Sequence, residues 1–219
     1  MRSRASGAWA AGVAGRNALN ELYRRTYDPG RTSGRAWLVA VARPVNPPWH
    51  QPRRGQDRTR ELVLEATAKV RAHVLPPYSG AFDQVKPNPR PALRGWTVPP
   101  YDERHAWVSV YDDGSVAVSM AAAEPSAAHE MNAETSESGI ADLVALMRAV
   151  AKQSIEAYDT LAGVEYQTNA PQRLQVWGRE HSGHRWDTGI RVHQFTPARA
   201  TVDTRDDLAP SSPTSHSIW

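Results

Sequence analysis

The 219-residue sequence predicts an α+β fold, a two-layer sandwich in which two main helices pack on a mostly antiparallel sheet. Three stretches support this prediction: an apolar strand at 37–42, a β-hairpin at 107–120 and an amphipathic helix at 140–161. Antiparallel hairpins interrupted by helices are typical of this class. The sequence contains no internal repeat that would indicate another architecture.

The hairpin reads WVSVYDDGSVAVSM, with a turn signal at its centre. Asp113-Gly114 is typical of a two-residue type I′ turn, because both central residues of that turn need positive φ. This turn predicts the following cross-strand pairs: Tyr111 with Val116, Ser109 with Val118, and Trp107 with Met120. We expect the face with the larger apolar side chains to point into the core. That face comprises Trp107, Tyr111, Val116, Val118 and Met120.

After an acidic loop, the stretch SGIADLVALMRAVAKQSIEAYDTLAG has the periodicity of one long helix. We expect this helix to run over 140–161, with Ser138 as its N-cap and Gly163 just past its C-terminus. Its apolar face is expected to lie on the Trp107 face of the hairpin, and Asp142 on the solvent side. The inward positions are Ile140, Leu143, Val144, Met147, Ala151, Ser154, Ile155, Tyr158 and Leu161.

The remaining elements give the order α–β–α–β–β–β–α–β–β–β. A short N-terminal helix is expected at 17–27, and the strand at 37–42 has the pattern of a strand buried on both faces. Asp57 is a plausible cap for the second main helix, which runs to about Val74 and is ended by prolines. Its inward positions are Leu62, Val63, Ala66, Val70 and either His73 or Val74. The other predicted strands are 93–98, 164–168, 174–179 and 190–195.

The length is sufficient for one domain with a hydrophobic core. We expect a disordered leader at 1–16, a single α+β domain at 17–203 and a disordered polar tail at 204–219. No apolar run is long enough to span a membrane and the first residues make a poor signal peptide, which favours a cytoplasmic protein without membrane partners. The absence of cysteine excludes disulfides, thiolate metal sites and a cysteine nucleophile.

Charge is distributed unevenly along the chain. Residues 1–60 hold twelve arginines and three acidic residues, a local charge of +9, whereas the remainder carries −6. A proline- and arginine-rich loop places Trp49 among cations, where it can stack on a base while arginines hold phosphates. The same tryptophan can instead cover the edge of the sheet. The candidate nucleic-acid-binding residues are Arg43, Trp49, His50, Arg53, Arg54, Arg58 and Arg60.

Three histidines, His181, His184 and His193, form a candidate metal site. Three imidazoles could hold zinc with one open position, as in a metal-dependent hydrolase. The Ser-Gly spacer between the first two nevertheless indicates a turn, and a polar hairpin loop explains the pattern without a metal. The sequence contains no nucleophile elbow, no P-loop and no dinucleotide-binding glycine fingerprint. We therefore predict no catalytic residue and no cofactor, which favours a protein that is not an enzyme.

The middle of the chain resembles a known family over about residues 36–195. The segments that carry the likeness are WLVAVARPVNPP, the helix after it, NPRPALRGWTV and WVSVYDDGSVAVSM. They are similar to the C-terminal region of large bacterial Schlafen/AlbA-type proteins, which are described as DNA-binding or ATP-binding regulators. The N-terminal AlbA-like domain of that family is not identified in this sequence. The resemblance therefore implies an accessory or sensor part, encoded alone or as a fragment, and assigns no DNA-contacting residue here.

Three functions remain open on the sequence. The first is a non-enzymatic accessory, sensor or protein-interaction module of a bacterial DNA-binding regulator, which the missing catalytic motifs favour. The second is a nucleic-acid-binding protein that uses the basic 43–60 loop, which the charge of the first sixty residues favours. The third is a metal-dependent hydrolase, which only the three histidines favour.

Overall fold

A computed structural model describes residues 3–26, 36–47, 54–73, 80–101, 105–122, 130–152, 154–165, 172–177, 185–192 and 196–205. The helices in these ranges are α1 Ser3–Thr26, α2 Gln56–His73 and α3 Ala133–Ala151. The strands are β1 Trp37–Pro44, β2 Arg90–Ala92, β3 Gly95–Val98, β4 Ala106–Tyr111, β5 Val116–Ala121, β6 Glu130–Asn132, β7 Ala157–Glu165, β8 Gln172–Trp177, β9 Arg185–Val192 and β10 Ala198–Asp203.

Seven of these strands form one antiparallel sheet, in the order β10-β7-β1-β5-β4-β3-β2. The apolar strand β1 lies in its middle, paired with β5 on one side and β7 on the other. A second sheet contains β6, β8 and β9, with β6 parallel to β8. The fold class predicted from the sequence, an α+β sandwich with a mostly antiparallel sheet, is confirmed.

Helices cover both faces of the large sheet. On one face, α2 and α3 pack together, and Leu38 of β1 belongs to the same core as Leu146 of α3. On the opposite face, α1 packs on β1 through Leu19 and Tyr23, which share a second core with Val39. Because side chains alternate along a strand, β1 supplies both cores and is buried on both sides, as its continuous apolar sequence predicts.

The hairpin of β4 and β5 has a different turn from the one expected. The N–H of Tyr111 donates to the carbonyl of Ser115 at 2.9 Å, and the N–H of Gly114 donates to the carbonyl of Tyr111 at 3.1 Å. The turn therefore contains residues 112–114 rather than only Asp113 and Gly114. Gly114, with a φ of 87°, occupies the left-handed position that ends such a three-residue turn.

This turn shifts the register by one residue, so the side chains of β4 exchange faces, whereas Val116, Val118 and Met120 of β5 keep the face that was predicted for them. Trp107 pairs with Ser119, and Val108 pairs with Val118. The prediction that the Trp107 face packs under the long helix is wrong, because Trp107 and Tyr111 pack in the core on the α1 side. The register was ambiguous in the sequence since both faces carry apolar side chains. The residues on the α3 side are Val108, Val110, Val116, Val118 and Met120.

The long helix also differs from the prediction at both ends. Asn132, not Ser138, is at its N-cap position, and the chain leaves the helix at Lys152, whose φ is 43°. Residues 157–161 belong to β7, which pairs along the whole length of β1, and Gly163 lies inside that strand. A continuous backbone ladder with the central strand outweighed the helical periodicity of this segment.

Asp142, expected on the solvent side of the long helix, is completely buried. Its Oδ2 accepts a hydrogen bond from the backbone N–H of Phe82 at 3.1 Å, at the start of a single 3₁₀ turn, Ala81–Asp83. The 3₁₀ turn packs over α3 and covers the side of the helix that periodicity assigns to water. A buried carboxylate with a hydrogen-bond donor replaces the expected solvated one.

The other elements follow the sequence more closely. α2 confirms the second main helix, but it begins at Gln56, so Asp57 lies in its first turn and is not its N-cap. α1 begins at Ser3 and includes most of the predicted leader. The strand predicted at 93–98 is shortened to β3, because residues 93 and 94 form the turn that joins it to β2, and neither β2 nor β10 has a counterpart in the prediction. The tail beyond residue 205 lies outside the described residues. Within the described ranges, no helix is long and apolar enough to cross a membrane.

Candidate functional site

A cleft of about 690 Å³ opens between α1 and the turns at one end of the large sheet. We name it the α1 cleft. Its walls come from α1, the end of β1, the β2–β3 turn and the β4–β5 turn. The lining residues are Ala18, Glu21, Leu22, Arg25, Arg43, Ala92, Leu93, Arg94, Tyr111, Asp112, Asp113 and Ser115.

Two turns with left-handed residues form one wall of the cleft. Arg94, between β2 and β3, has a φ of 59°, which is unfavourable for a residue with a side chain. The N–H of Asp112 donates to the carbonyl of Arg94 at 2.9 Å, so the two turns are bonded to each other. This bond holds Arg94 in its uncommon conformation, with an exposed side chain at the cleft.

Three arginines reach the cleft from three different elements: Arg25 from α1, Arg43 from β1 and Arg94 from the β2–β3 turn. Arg25 donates from Nε to Oε1 of Glu21 at 2.7 Å. In the part of the chain that the structure describes, the guanidinium groups of Arg43 and Arg94 make neither an ion pair nor a hydrogen bond. Two cations in the cleft therefore have no internal partner there.

The three carboxylates of the cleft, in contrast, are close to compensating groups. Glu21 pairs with Arg25, and Oδ1 of Asp113 accepts the backbone N–H of Ser115 at 2.9 Å. Arg54 lies behind the β4–β5 turn and donates from Nη1 to the carbonyl of Tyr111 at 2.6 Å. Burial lowers the pKa of Arg54, and the nearby charges, including those of Asp112 and Asp113, oppose that shift. The negative charges of Asp112 and Asp113 are thus compensated by groups of the protein itself.

Ser115 contributes a buried hydroxyl beside the cleft. The residue is 2% exposed, and its Oγ has no hydrogen-bond partner among the described residues. A buried polar group without a partner is uncommon and carries a free-energy cost of about 1–3 kcal/mol. Because Ser115 lines the α1 cleft, a polar atom of a bound molecule could satisfy this hydroxyl after a rotation of the side chain.

A smaller, hydroxyl-rich cavity of about 110 Å³ adjoins the cleft and shares Arg25 and Tyr111 with it. We name it the hydroxyl pocket. Oγ1 of Thr97 and Oγ of Ser109 are 2.7 Å apart and share a hydrogen bond. Burial raises the pKa of Tyr111, although hydrogen bonds with Ser109 and Thr26 oppose the shift. Tyr111 is therefore a neutral phenol at physiological pH. The lining residues are Arg25, Thr26, Trp37, Thr97, Trp107, Ser109, Tyr111 and Ser119.

The predicted nucleic-acid-binding residues are not assembled into one described surface. Arg43 reaches the α1 cleft, whereas Arg58 and Arg60 lie on α2, which packs on the other face of the sheet. Arg58 pairs with Glu61 at 2.8 Å. Arg54 is held internally, since its own carbonyl also accepts the Nε1–H of Trp96 at 2.5 Å. The other predicted residues, Trp49, His50 and Arg53, lie outside the described residues.

The three histidines of the candidate metal site, His181, His184 and His193, also lie outside the described residues. Within the described ranges, no group of three or more histidine, aspartate or glutamate side chains is arranged to hold a metal ion. The zinc hypothesis therefore stays a prediction.

Sequence reasoning missed most of the α1 cleft. Arg25, Arg94 and the pair Tyr111 and Ser115 come from three parts of the chain that are far apart, and none belongs to a recognisable motif. The available signal was Gly95, because a glycine inside a strand pattern often indicates an irregularity of the strand.

Comparisons of the chain with models of known protein families, with curated proteins and with solved structures found no match. The resemblance to the Schlafen/AlbA-type family stays a prediction. We therefore infer the function from the geometry and chemistry of the α1 cleft.

Proposed function

We propose that this chain is a cytoplasmic, non-enzymatic sensor module that binds a small ligand in the α1 cleft. The observation that carries the proposal is the cleft itself, a concave site of about 690 Å³ whose lining combines apolar and charged side chains. Small-molecule sites in proteins typically have volumes of about 300–1,000 Å³ and a similar lining. A sensor role agrees with the accessory part that the resemblance to bacterial DNA-binding regulators implies.

The chemistry of the lining favours binding over catalysis. The described residues that line the cleft include no histidine and no lysine, and the chain has no cysteine. Glu21 is engaged with Arg25, and the phenol of Tyr111 is protonated at physiological pH because burial raises its pKa. The phenol of Tyr111 is therefore not prepared to act as a general base, which needs a pKa near the working pH.

A ligand in the cleft would report its presence through α1. It would contact Leu22 and Arg25 on α1 and, at the same time, Arg94 and Tyr111 on the sheet side. Binding to this composite site would stabilise the docked position of α1, since a ligand favours the state that provides both walls. A partner protein that recognises α1 would then distinguish the bound from the free state.

A thermal-shift screen with a chemically varied metabolite library tests the proposal. Ala18→Trp places a large side chain in the cleft, and Ala68→Trp is the matched control at an exposed position of α2. We expect compounds that raise the Tm of the wild type and of Ala68→Trp but not of Ala18→Trp. The proposal is overturned if no compound raises the Tm, or if every hit acts equally on the Ala18→Trp variant.

Nucleic-acid binding is the second candidate, because Arg43 from the basic 43–60 segment lies in the same cleft as Arg25 and Arg94. Binding through about four phosphates should give a log-affinity slope of roughly −3 to −4 against log salt. Replacing Arg43 and Arg94 by glutamine should flatten the slope by roughly two. Trp49→Ala should weaken single strands more than duplex.

Fluorescence anisotropy with a labelled oligonucleotide measures these slopes. Absence of binding at low salt, or a slope that the double arginine variant leaves unchanged, would eliminate this candidate.

A further inference from the structure

We propose that the ligand of the α1 cleft is an organic anion, an apolar body that carries a carboxylate or a phosphate. This inference rests on the proposed function and names the chemical class of the ligand. Three observations support it: the balance of charges in the cleft, its apolar side chains and the hydroxyl of Ser115, which has no hydrogen-bond partner among the described residues.

The balance of charges favours an anion. Arg43 and Arg94 lack ion pairs and side-chain hydrogen bonds in the described ranges, whereas Glu21 pairs with Arg25. The charges of Asp112 and Asp113 interact with the partly buried guanidinium of Arg54. With Arg54 counted, four guanidinium groups and three carboxylates surround the cleft, which leaves one positive charge in excess. Guanidinium groups such as those of Arg43 and Arg94 bind planar carboxylates and phosphate oxygens in bidentate geometry.

The apolar walls require more than an inorganic anion. Leu22 of α1 and Tyr111 of β4 line the cleft together with Leu93, which is 75% exposed. A ligand with an apolar body would cover the side chain of Leu93 and remove its surface from water. An inorganic anion would leave this surface exposed.

The hydroxyl of Ser115 adds a neutral donor to the two cations. It is buried beside the same cleft and has no partner among the described residues. A hydroxyl donates well to an anionic oxygen, and such charge-assisted hydrogen bonds are stronger than neutral ones.

Three probes with the same apolar body test the inference: naphthylbutanoate, naphthylbutanamide and naphthylbutylamine. Isothermal titration calorimetry at low salt should show that the carboxylate binds about tenfold or more tightly than the amide. The amine should bind most weakly, because two cations repel it. Naphthylbutyl phosphate is the fourth probe, and its affinity relative to the carboxylate tells which anionic group the site prefers.

Arg43→Gln/Arg94→Gln is the decisive variant, and Arg60→Gln, at an exposed position of α2, is the control. The double variant should lose the preference for the carboxylate over the amide, whereas the control should keep it. Arg43→Glu/Arg94→Glu should reverse the preference and favour the amine. Far-ultraviolet circular dichroism of each variant verifies that it is folded.

The outcomes separate this inference from the proposed function. If the amide and the carboxylate bind equally and Ala18→Trp abolishes both, the cleft is a ligand site but the anion inference is wrong. If the carboxylate preference survives in the double variant, the arginines do not recognise the anion and the inference is also wrong. If no probe binds while the metabolite screen finds a neutral or cationic hit at the cleft, only the anion inference is overturned.

Discussion

Trp107 packs beside Trp37 on the α1 side of the large sheet, with ring centroids 5.6 Å apart and ring planes inclined at 40°. Both side chains line the hydroxyl pocket. This pairing follows from the three-residue turn at 112–114, which places Trp107 on the opposite side of the sheet from α3. The position of the turn thus decides which side chains build the core and which ones surround the candidate site.

The docking of α3 gives the first prediction. Leu143 and Met147 are 2% and 0% exposed and belong to the core between α3 and the sheet. Leu143→Ala and Met147→Ala should each lower the free energy of unfolding by about 2–5 kcal/mol, as buried truncations do. Leu64→Ala, at a position that is 47% exposed on α2, is the control and should change it by less than about 0.5 kcal/mol. Urea denaturation measures the unfolding free energy of all three variants. If Leu143→Ala and Met147→Ala lose as little as Leu64→Ala, α3 is not docked on the sheet in this way.

Two helical glycines should respond oppositely to alanine. A Cβ at Gly139 of α3 would collide with the side chains of Leu38 and Met120. Among the described residues, a Cβ at Gly15 of α1 would meet the side chain of Arg43, at an ordinary contact distance of 3.9 Å. Gly15→Ala should raise the free energy of unfolding by up to about 1 kcal/mol, because alanine has the higher helix propensity. Gly139→Ala should lower it by about 1–3 kcal/mol through overpacking. Thermal unfolding of the two variants gives the sign of each change. An increase in the free energy of unfolding for Gly139→Ala would show that α3 lies farther from the sheet.

The buried carboxylate of Asp142 gives the third prediction. Asp142→Ala removes the acceptor for the N–H of Phe82 and should cost about 1–3 kcal/mol for that unsatisfied donor. Asp142→Asn keeps an oxygen acceptor of the same size and should cost clearly less. Chemical denaturation of the two variants provides the comparison. Equal losses would mean that the bond between Asp142 and the 3₁₀ turn does not stabilise the protein.

Tyr158 gives a prediction for alkaline pH. It is fully buried, its hydroxyl donates to the carbonyl of Gly114 at 3.1 Å, and burial raises its pKa above the ordinary 10.0. Above pH 10, the unfolded chain loses the phenolic proton while the folded chain keeps it. The stabilisation that Tyr158 provides is therefore complete below pH 10 and is lost as pH rises through the folded pKa, by about 1.4 kcal/mol per pH unit.

Tyr158→Phe has no such proton and serves as the reference. The difference in unfolding free energy between wild type and Tyr158→Phe should be constant from pH 7 to about pH 10 and should then shrink. Urea denaturation of both proteins, from pH 7 to above pH 10, measures this difference. A constant difference at higher pH would show that Tyr158 titrates normally in the folded protein.

Local signals in the sequence predicted several elements well. The continuous apolar run at 37–42 predicted a strand buried on both faces, and β1 has that environment. The amphipathic stretch that begins near Asp57 predicted α2 almost to its last residue, although Asp57 lies in the first turn and is not the N-cap. These elements were readable because burial on one or two faces imposes a periodicity on the residues of the element itself.

Other features depended on pairing between distant segments. Residues 157–161 continue the helical spacing of α3, but they pair with β1 because the ladder from Tyr158 to Glu165 matches that strand residue by residue. Asp142 is polar in a helix with an apolar stripe, and only the 3₁₀ turn at Ala81–Asp83 determines that it is buried. The residues around 157–161 do not reveal that β1 is their partner, and the residues around Asp142 do not reveal the 3₁₀ turn that buries it.

By itself, the sequence determined the α+β class, the burial of β1 on both faces, the existence of the hairpin and the identity of α2 as a core helix. The tertiary structure decided the register of the hairpin, the end of α3 and the α1 cleft. The reason is physical: hydrophobic spacing reports how much of an element is buried, but it does not report which distant surface buries it. The cleft depends on such a relationship, since Arg25, Arg43 and Arg94 meet only when α1, β1 and the β2–β3 turn converge at one end of the sheet.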